Sequence, residues 1–284
     1  MFPIIFQSSV FTIYSLWFFT LIGFVIGAII LYHLIKTSRL SLNFVTDNWN
    51  KLLLSTILTS RIFTVIAEWQ FYLQPHFSGE SWWILKRFWN IISIWDKGLS
   101  FWGAALGLVI CFAYLAYKQE QNLAKWADIL IISIVGGISM GNIGAYMDGI
   151  NYGKPTKLPW GVLYESSSVK YAIPVHPTQI YAFLYCVAIV TILYTLYRAY
   201  RNQYDGLVAY YGIFLYSVFR VIENLFRGDD VLMVSIFRLS TLTFSATAIG
   251  SGILVYTYCK AHRIKLWKTI WPGFGDGSSK NESS

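Results

Sequence analysis

Three charged residues, Arg220, Glu223 and Arg227, sit within or at the end of a strongly apolar run, at spacings that share one face of a helix. A charge held at the centre of a bilayer costs about 3 kcal/mol even on lenient scales, so it normally faces a helix-bundle interior or a wet cavity. For Arg220 a functional role is read ahead of a structural pair, because the loops near it hold further polar residues. A second intramembrane cation, Arg61, has Glu68 seven residues on, two helical turns along the same face. For Arg61 two readings stay open, a structural pair with Glu68 or a neighbouring carboxylate, or a role in binding. A neutral imidazole can accept a proton near neutral pH, and one histidine, His176, lies in the polar segment VHPTQIY (175–181). Taken alone it reads as the residue before Pro177, held extended.

The other dense polar stretch is GNIGAYMDGINYGKPTKLPWGV (141–162), where a glycine-rich helix passes into a tight loop. Gly149 and Gly153 let the backbone approach a headgroup or another helix closely. For Gly136, Gly137 and Gly141 the expectation is helix packing. Pro177 at a first helical turn is a start signal for the helix that carries Gln179 and Tyr181.

These residues need a scaffold, and the composition says of what kind. The 284 residues are 56% hydrophobic and only 13% charged, with a mean hydropathy of +0.51. Soluble domains are about 25% charged, so this chain lacks the polar surface to face water all round. Apolar runs recur at 11–35, 52–73, 98–117, 126–150, 179–197, 207–226 and 236–259, each near the length of about 20 residues that crosses a bilayer. The expected fold is an all-α polytopic membrane protein of about seven transmembrane helices. The 12 Trp, 20 Tyr and 20 Phe suit aromatic belts at two interfaces.

The first ten residues carry no Lys or Arg, so the first run is read as a retained span and not a cleaved signal. Lys and Arg fall mostly in segments that lie inside if the N-terminus is outside, which puts the C-terminus in the cytoplasm. Residues 1–272 form one membrane-embedded helical domain on this reading, with outer loops 74–97 and 151–178 and a disordered polar tail at 273–284. The net charge of +8 is spread through short loop clusters, not a stripe, so no nucleic acid is expected as partner. Cys111, Cys186 and Cys259 show no metal-ligand spacing and read as small buried residues; no metal and no cofactor is expected. No repeat of fixed period favours a transporter.

Taken together the polar segments resemble those of the bacterial prolipoprotein diacylglyceryl transferases. IWDKGLSFWGAALG (94–107) is similar to the family's W-D/E-G-G-M-S-F-H-G-G-L-x-G stretch, and residues 141–162 resemble its G-R-x-G-N/C-F-x-N/A-G-x-x-Y/W-G-R/K-P-T-x-L-P-W signature. VHPTQIYAFL is similar to R-H-P-S/T-Q-L-Y-E, and YSVFRVIENLFRGDD (216–230) to Y-x-x-F-R-x-x-x-E-F-x-R-x-x-D. All four occur in order. The resemblance implies seven spans in the bacterial cytoplasmic (inner) membrane. It also implies transfer of the diacylglyceryl group of phosphatidylglycerol to the lipobox cysteine of a prolipoprotein signal peptide, with glycerol phosphate leaving.

The departures are chemical. Trp102 stands where the family has its histidine, and Asn142 where it has the signature arginine; Ala145, Ile150 and Ala182 replace further polar residues. The acid of the last motif sits at Glu223, with Asn224 in its usual place. Indole cannot accept a proton, and a carboxamide offers no guanidinium fork. On this reading Arg220 holds the phosphate and His176 takes the thiol proton. Asn142, Gly149, Gly153, Gln179, Tyr181, Tyr216, Arg61 and Arg227 bind substrate, and Lys154 is a further cation nearby. The alternative is a catalytically inactive or repurposed membrane relative that binds phospholipid or lipoprotein precursors.

Overall fold

A computed structural model describes residues 4–8, 12–69, 89, 91–93, 100–164, 169–230, 233–234 and 237–264. Most of the expected outer loop 74–97 and the expected tail 273–284 lie outside these residues, as does the start of the 94–107 motif. Seven helices stand in the described chain: α1 (Ser15–Ser38), α2 (Leu42–Ala67), α3 (Phe101–Lys118), α4 (Leu123–Asp148), α5 (Thr178–Tyr200), α6 (Leu207–Phe226) and α7 (Leu239–Ala261). Five of them, α1, α2, α4, α5 and α7, are long and apolar enough to cross a membrane. α3 is a shorter apolar helix, and α6 dilutes its apolar run with Arg220, Glu223 and Asn224.

Two element boundaries differ from the hydropathy reading. The run at 11–35 begins with an extended segment, because β2 (Thr12–Tyr14) pairs antiparallel with β1 (Ile4–Gln7) before α1 starts at Ser15. α2 begins ten residues earlier than its apolar run and ends with Glu68 as its C-cap; Arg61 is buried and Glu68 exposed. Hydropathy locates the membrane-depth part of a helix, not its polar ends. A second short pair, β3 (Met233–Val234) with β4 (Phe237–Arg238), precedes α7.

The chain forms two compact units, Ser41–Leu123 and the remainder. In the smaller one, α2 and α3 pack through small and hydroxyl residues. The Ser55 and Ser60 hydroxyls donate to the carbonyls of Gly107 and Ser100 at 2.9 and 2.8 Å. A Cβ on Gly103 would stand 2.6 Å from the Thr59 carbonyl oxygen. Apolar side chains gain little from leaving lipid, so close backbone approach and interhelical hydrogen bonds carry such contacts.

The larger unit holds α1, α4, α5, α6 and α7. Here α1 and α4 nearly touch: a Cβ on Gly23 would lie 2.3 Å from the Gly137 carbonyl oxygen. Gly136 is as tight, against Ile30, whereas Gly141 has open space and faces a cavity instead of a helix. α4 also starts α6. The Asp128 carboxylate, 3% exposed, accepts the backbone N–H groups of Gly206 and Ala209, each at 2.7 Å. These belong to the first turn of α6, where backbone donors have no partner within the helix.

Gly23→Ala should lower the thermal unfolding midpoint in detergent, by the equivalent of about 1–3 kcal/mol, because two backbones must separate. Gly250→Ala, where a Cβ meets nothing within 4 Å, should be neutral or stabilising by up to about 1 kcal/mol. Equal effects at both positions would show that the α1–α4 contact contributes nothing.

Candidate active site

The loop that follows α4 is built to turn back on itself. Gly149 (φ 78°) and Asn151 (φ 59°) both take the left-handed conformation, tolerated by glycine and asparagine. The chain then forms isolated antiparallel bridges, Gly153 with Arg227 and both Pro155 and Val162 with Val175. The Gly153 N–H donates to His176 O at 3.0 Å, His176 N–H to Lys154 O at 3.0 Å, and Lys154 N–H to Phe226 O at 2.7 Å. A Cβ on Gly153 would lie 2.4 Å from His176 O, and one on Gly228 would lie 2.4 Å from Gly153 O. Both glycines are therefore required by proximity. They bring the loop against the end of α6 and the start of α5.

Buried side chains tie the loop down. Gln179, 1% exposed, donates from Nε2 to Ile150 O at 2.6 Å and accepts the Tyr164 hydroxyl at 3.2 Å. Burial pushes the Tyr164 hydroxyl above the ordinary tyrosine range. Thr178 Oγ1 donates to Asn151 O at 2.5 Å. Arg227, the C-cap of α6, donates from Nε and Nη2 to Asp229 at 3.0 and 2.5 Å and from Nη2 to Asn151 Oδ1 at 2.8 Å. Arg238 completes the clamp, donating to Asp229 Oδ1 at 3.0 Å and to the carbonyls of Arg227 and Asp229 at 2.9 Å. Burial alone would raise the Asp229 carboxyl, but hydrogen bonds and charge from Arg227 and then Arg238 hold it below the usual range.

Two groups of candidate residues are gathered in this unit. Beside the loop, His176 Nδ1 lies 3.2 Å from the Tyr181 hydroxyl, which also accepts the Trp160 Nε1–H at 2.7 Å. Phe226 packs on both rings, with centroids 5.4 and 6.5 Å away. Deeper between the helices, Arg220 Nη1 donates to both oxygens of Glu223 at 2.8 and 2.7 Å, and Tyr185 donates its hydroxyl to Glu223 Oε2 at 2.7 Å. Tyr216 packs edge-on between Tyr185 and Phe244. The Arg220 guanidinium lies 5.9 Å from the Phe244 ring centroid.

Asn142 donates to Ile138 O at 3.2 Å and approaches Cys186 Sγ at 3.9 Å. It lies at one end of a chiefly apolar cavity of about 470 Å³ between α1 and α4, with Thr20, and with Leu31 and Leu130 at the other end. Gly149 serves as the turn after α4 and Gly153 as the close contact with His176. Arg61 belongs to the other compact unit, where it is 7% exposed and its Nε donates to Ile91 O at 2.9 Å. Glu68 is exposed at the helix end. Trp102, also in that unit, is 70% exposed.

The sequence reading missed Tyr185, Asp229, Asn151 and Arg238. Tyr185 was findable: it lies four residues after Tyr181 on α5, on the same face. Asp229 and Arg238 meet only because a short strand pair folds back before α7, which has no short-range signal.

Comparison with known proteins gives the chain a family. The family model described as prolipoprotein diacylglyceryl transferase matches residues 3–269. A Finegoldia magna protein named phosphatidylglycerol–prolipoprotein diacylglyceryl transferase is 28% identical over 254 residues, covering 89% of this chain and 94% of the relative. Proteins of the same name from Thermosynechococcus vestitus and Campylobacter lari are 27% identical over 77% of this chain and 78% of theirs, and 34% identical over 52% of each.

The Asp229 clamp predicts an acid limb in stability. Its folded carboxyl titrates below the ordinary value of about 3.9, so the stabilisation is complete above that pH and is lost as pH falls through the lower folded value. The unfolding midpoint of the wild type should fall on acidification beneath pH ~3.9. Asp229→Asn should lower the midpoint at neutral pH and flatten the acid limb. Superposable profiles for the two proteins would refute the clamp's contribution.

Proposed function

Because the chain belongs to the prolipoprotein diacylglyceryl transferase family, we propose that it moves the diacylglyceryl group of phosphatidylglycerol onto the lipobox cysteine of prolipoproteins. The chain is a multi-pass membrane protein. On this reading it spans the bacterial cytoplasmic membrane seven times, with the N-terminus and the 151–178 loop outside and the C-terminus inside. There the signal peptide of a secreted precursor and outer-leaflet lipid both reach the loop.

One observation carries the reading: Arg220 is half-buried beside aromatic rings with one edge of its guanidinium unused. Glu223 engages only Nη1, and Nε has no partner among the described residues. A guanidinium edge of Nε and Nη2 suits two phosphate oxygens. Fixed charge there stabilises the phosphate as the bond between the diacylglyceryl carbon and its phosphate oxygen breaks. The cysteine sulfur forms the new thioether bond at that carbon, glycerol phosphate leaves with the bonding pair, and the thiol proton passes to a base. The apolar cavity between α1 and α4 accommodates an acyl chain, with Asn142 as a neutral donor at its end.

His176 serves as the base in one tautomer only. If Nδ1–H donates to the Tyr181 oxygen, Nε2 is left with a free lone pair for the thiol proton; in the other tautomer Nδ1 is occupied by the tyrosine hydrogen. The Trp160 donor holds Tyr181 in place for this role. The second reading, a silent relative, draws support from Trp102 in place of the family histidine and from the Glu223 carboxylate that already neutralises Arg220.

The decisive assay incubates purified protein with phosphatidylglycerol and a lipobox peptide. A mass gain equal to one diacylglyceryl group is expected, and none with Arg220→Ala; full transfer by that variant sinks the phosphate assignment. His176→Ala should slow transfer by ~10²-fold or more if His176 is the base, and an unchanged rate removes it from the mechanism. No mass gain from the wild type, beside an active relative, decides for the silent reading.

A further inference from the structure

α6 holds a second unused polar group beside Arg220. Asn224 is 3% exposed, yet both Oδ1 and Nδ2 lack a hydrogen-bond partner among the described residues, as does Arg220 Nε. Four residues apart on a helix, the two side chains share a face, with Cβ atoms about 5–6 Å apart. Nearby polar groups are already committed. The Ser217 hydroxyl pairs with Thr247 at 3.0 Å, and Glu223 accepts from Tyr185 and Arg220 Nη1. Buried side-chain amides are nearly always paired, and leaving both ends unpaired is costly.

A carboxamide presents a donor and an acceptor side by side, whereas a carboxylate presents acceptors only. A phosphate oxygen beside it satisfies Nδ2 and strands Oδ1. An ammonium group satisfies Oδ1 and strands Nδ2. Two hydroxyls on adjacent carbons satisfy both, one accepting the Nδ2–H and the other donating to Oδ1. We propose that Asn224 is a specificity-determining contact that reads a vicinal diol, carried next to a phosphodiester whose oxygen accepts the Nε–H of Arg220. The inference rests on the reading of Arg220 as the phosphate cation. It adds what selects the headgroup: with the acid at Glu223 spent on Arg220, the neutral amide at 224 makes the diol, not the charge, the discriminating feature.

The test is native mass spectrometry of the purified full chain with dioleoyl lipids that share a phosphodiester: phosphatidylglycerol, with a diol; phosphatidylpropanol, with none; and phosphatidylethanolamine, with an ammonium group. Wild type should prefer phosphatidylglycerol to each of the others by roughly tenfold, the size expected of about one buried hydrogen bond. In Asn224→Leu the preference should vanish. The lipid-free unfolding midpoint should then hold or rise, by about 2–4 °C, since an unpaired buried amide is removed. Asn224→Asp, which keeps the acceptor and loses the donor, should also lose the preference.

Three results overturn the proposal: no diol preference in the wild type, a preference that survives Asn224→Leu, or a fall in midpoint in both variants. The last would make the amide structural. If the wild type modifies the lipobox peptide while Asn224→Leu keeps the diol preference, this inference alone fails. If the wild type reads the diol through Asn224 and transfers nothing, the proposed transfer fails and this inference stands.

Discussion

The Arg227 guanidinium is where separate parts of the larger unit are tied together. Arg227 closes α6, bridges to Gly153, reaches Asn151 in the loop after α4, and shares Asp229 with Arg238 at the entrance to α7. A buried guanidinium left without these partners would be strongly destabilising, so the loop can take only the path that supplies them. That path forces Gly153 against His176 and Gly228 against Gly153. The position of His176 next to Tyr181 thus follows from how a charge seven residues beyond Arg220 is satisfied.

Arg220 is handled differently, and the difference separates a structural cation from an available one. Arg227 uses Nε and Nη2 on protein acceptors. Arg220 gives only Nη1 to Glu223, so the pair is neutral overall but its fork is half open. In a low-dielectric setting a neutral pair avoids most of the penalty of an isolated charge, while the free edge keeps directional donors for an anion. Tyr185, Tyr216 and Phe244 supply apolar walls, and the Tyr185 hydroxyl holds Glu223 in place.

Helix existence was legible in the sequence because an apolar run of bilayer length can satisfy its backbone in lipid only by coiling on itself, and all seven runs contain a helix in the structure. Their ends were not. Residues 12–14 extend because a partner strand is available, and α2 starts ten residues before its apolar run because hydropathy is blind to polar helix. The Arg220–Glu223 pair was legible because both residues lie one turn apart on one helix. The site was illegible where contacts join distant segments: Asp128 starting α6, or Asp229 between two arginines. For Arg61 the sequence could not foresee that its Nε–H goes to the Ile91 carbonyl, thirty residues away, while Glu68 is exposed at the helix end.

The changes at 142 and 223–224 also alter how charge is balanced. A phosphodiester beside the Arg220–Glu223 pair brings the group to net −1, and Asn142 contributes no cation where the resemblance expects a guanidinium. The clamp contributes instead. Two arginines against one aspartate leave it at net +1, and it begins two helical turns along α6, roughly 10 Å away at 1.5 Å per residue. At an effective dielectric of about 20 that charge favours the anion by about 1.7 kcal/mol, a fraction of what a guanidinium in direct contact provides. The clamp therefore has two effects with one set of bonds. It fixes the path of the loop and, on the proposed reading, its surplus charge offsets part of the cation missing at 142.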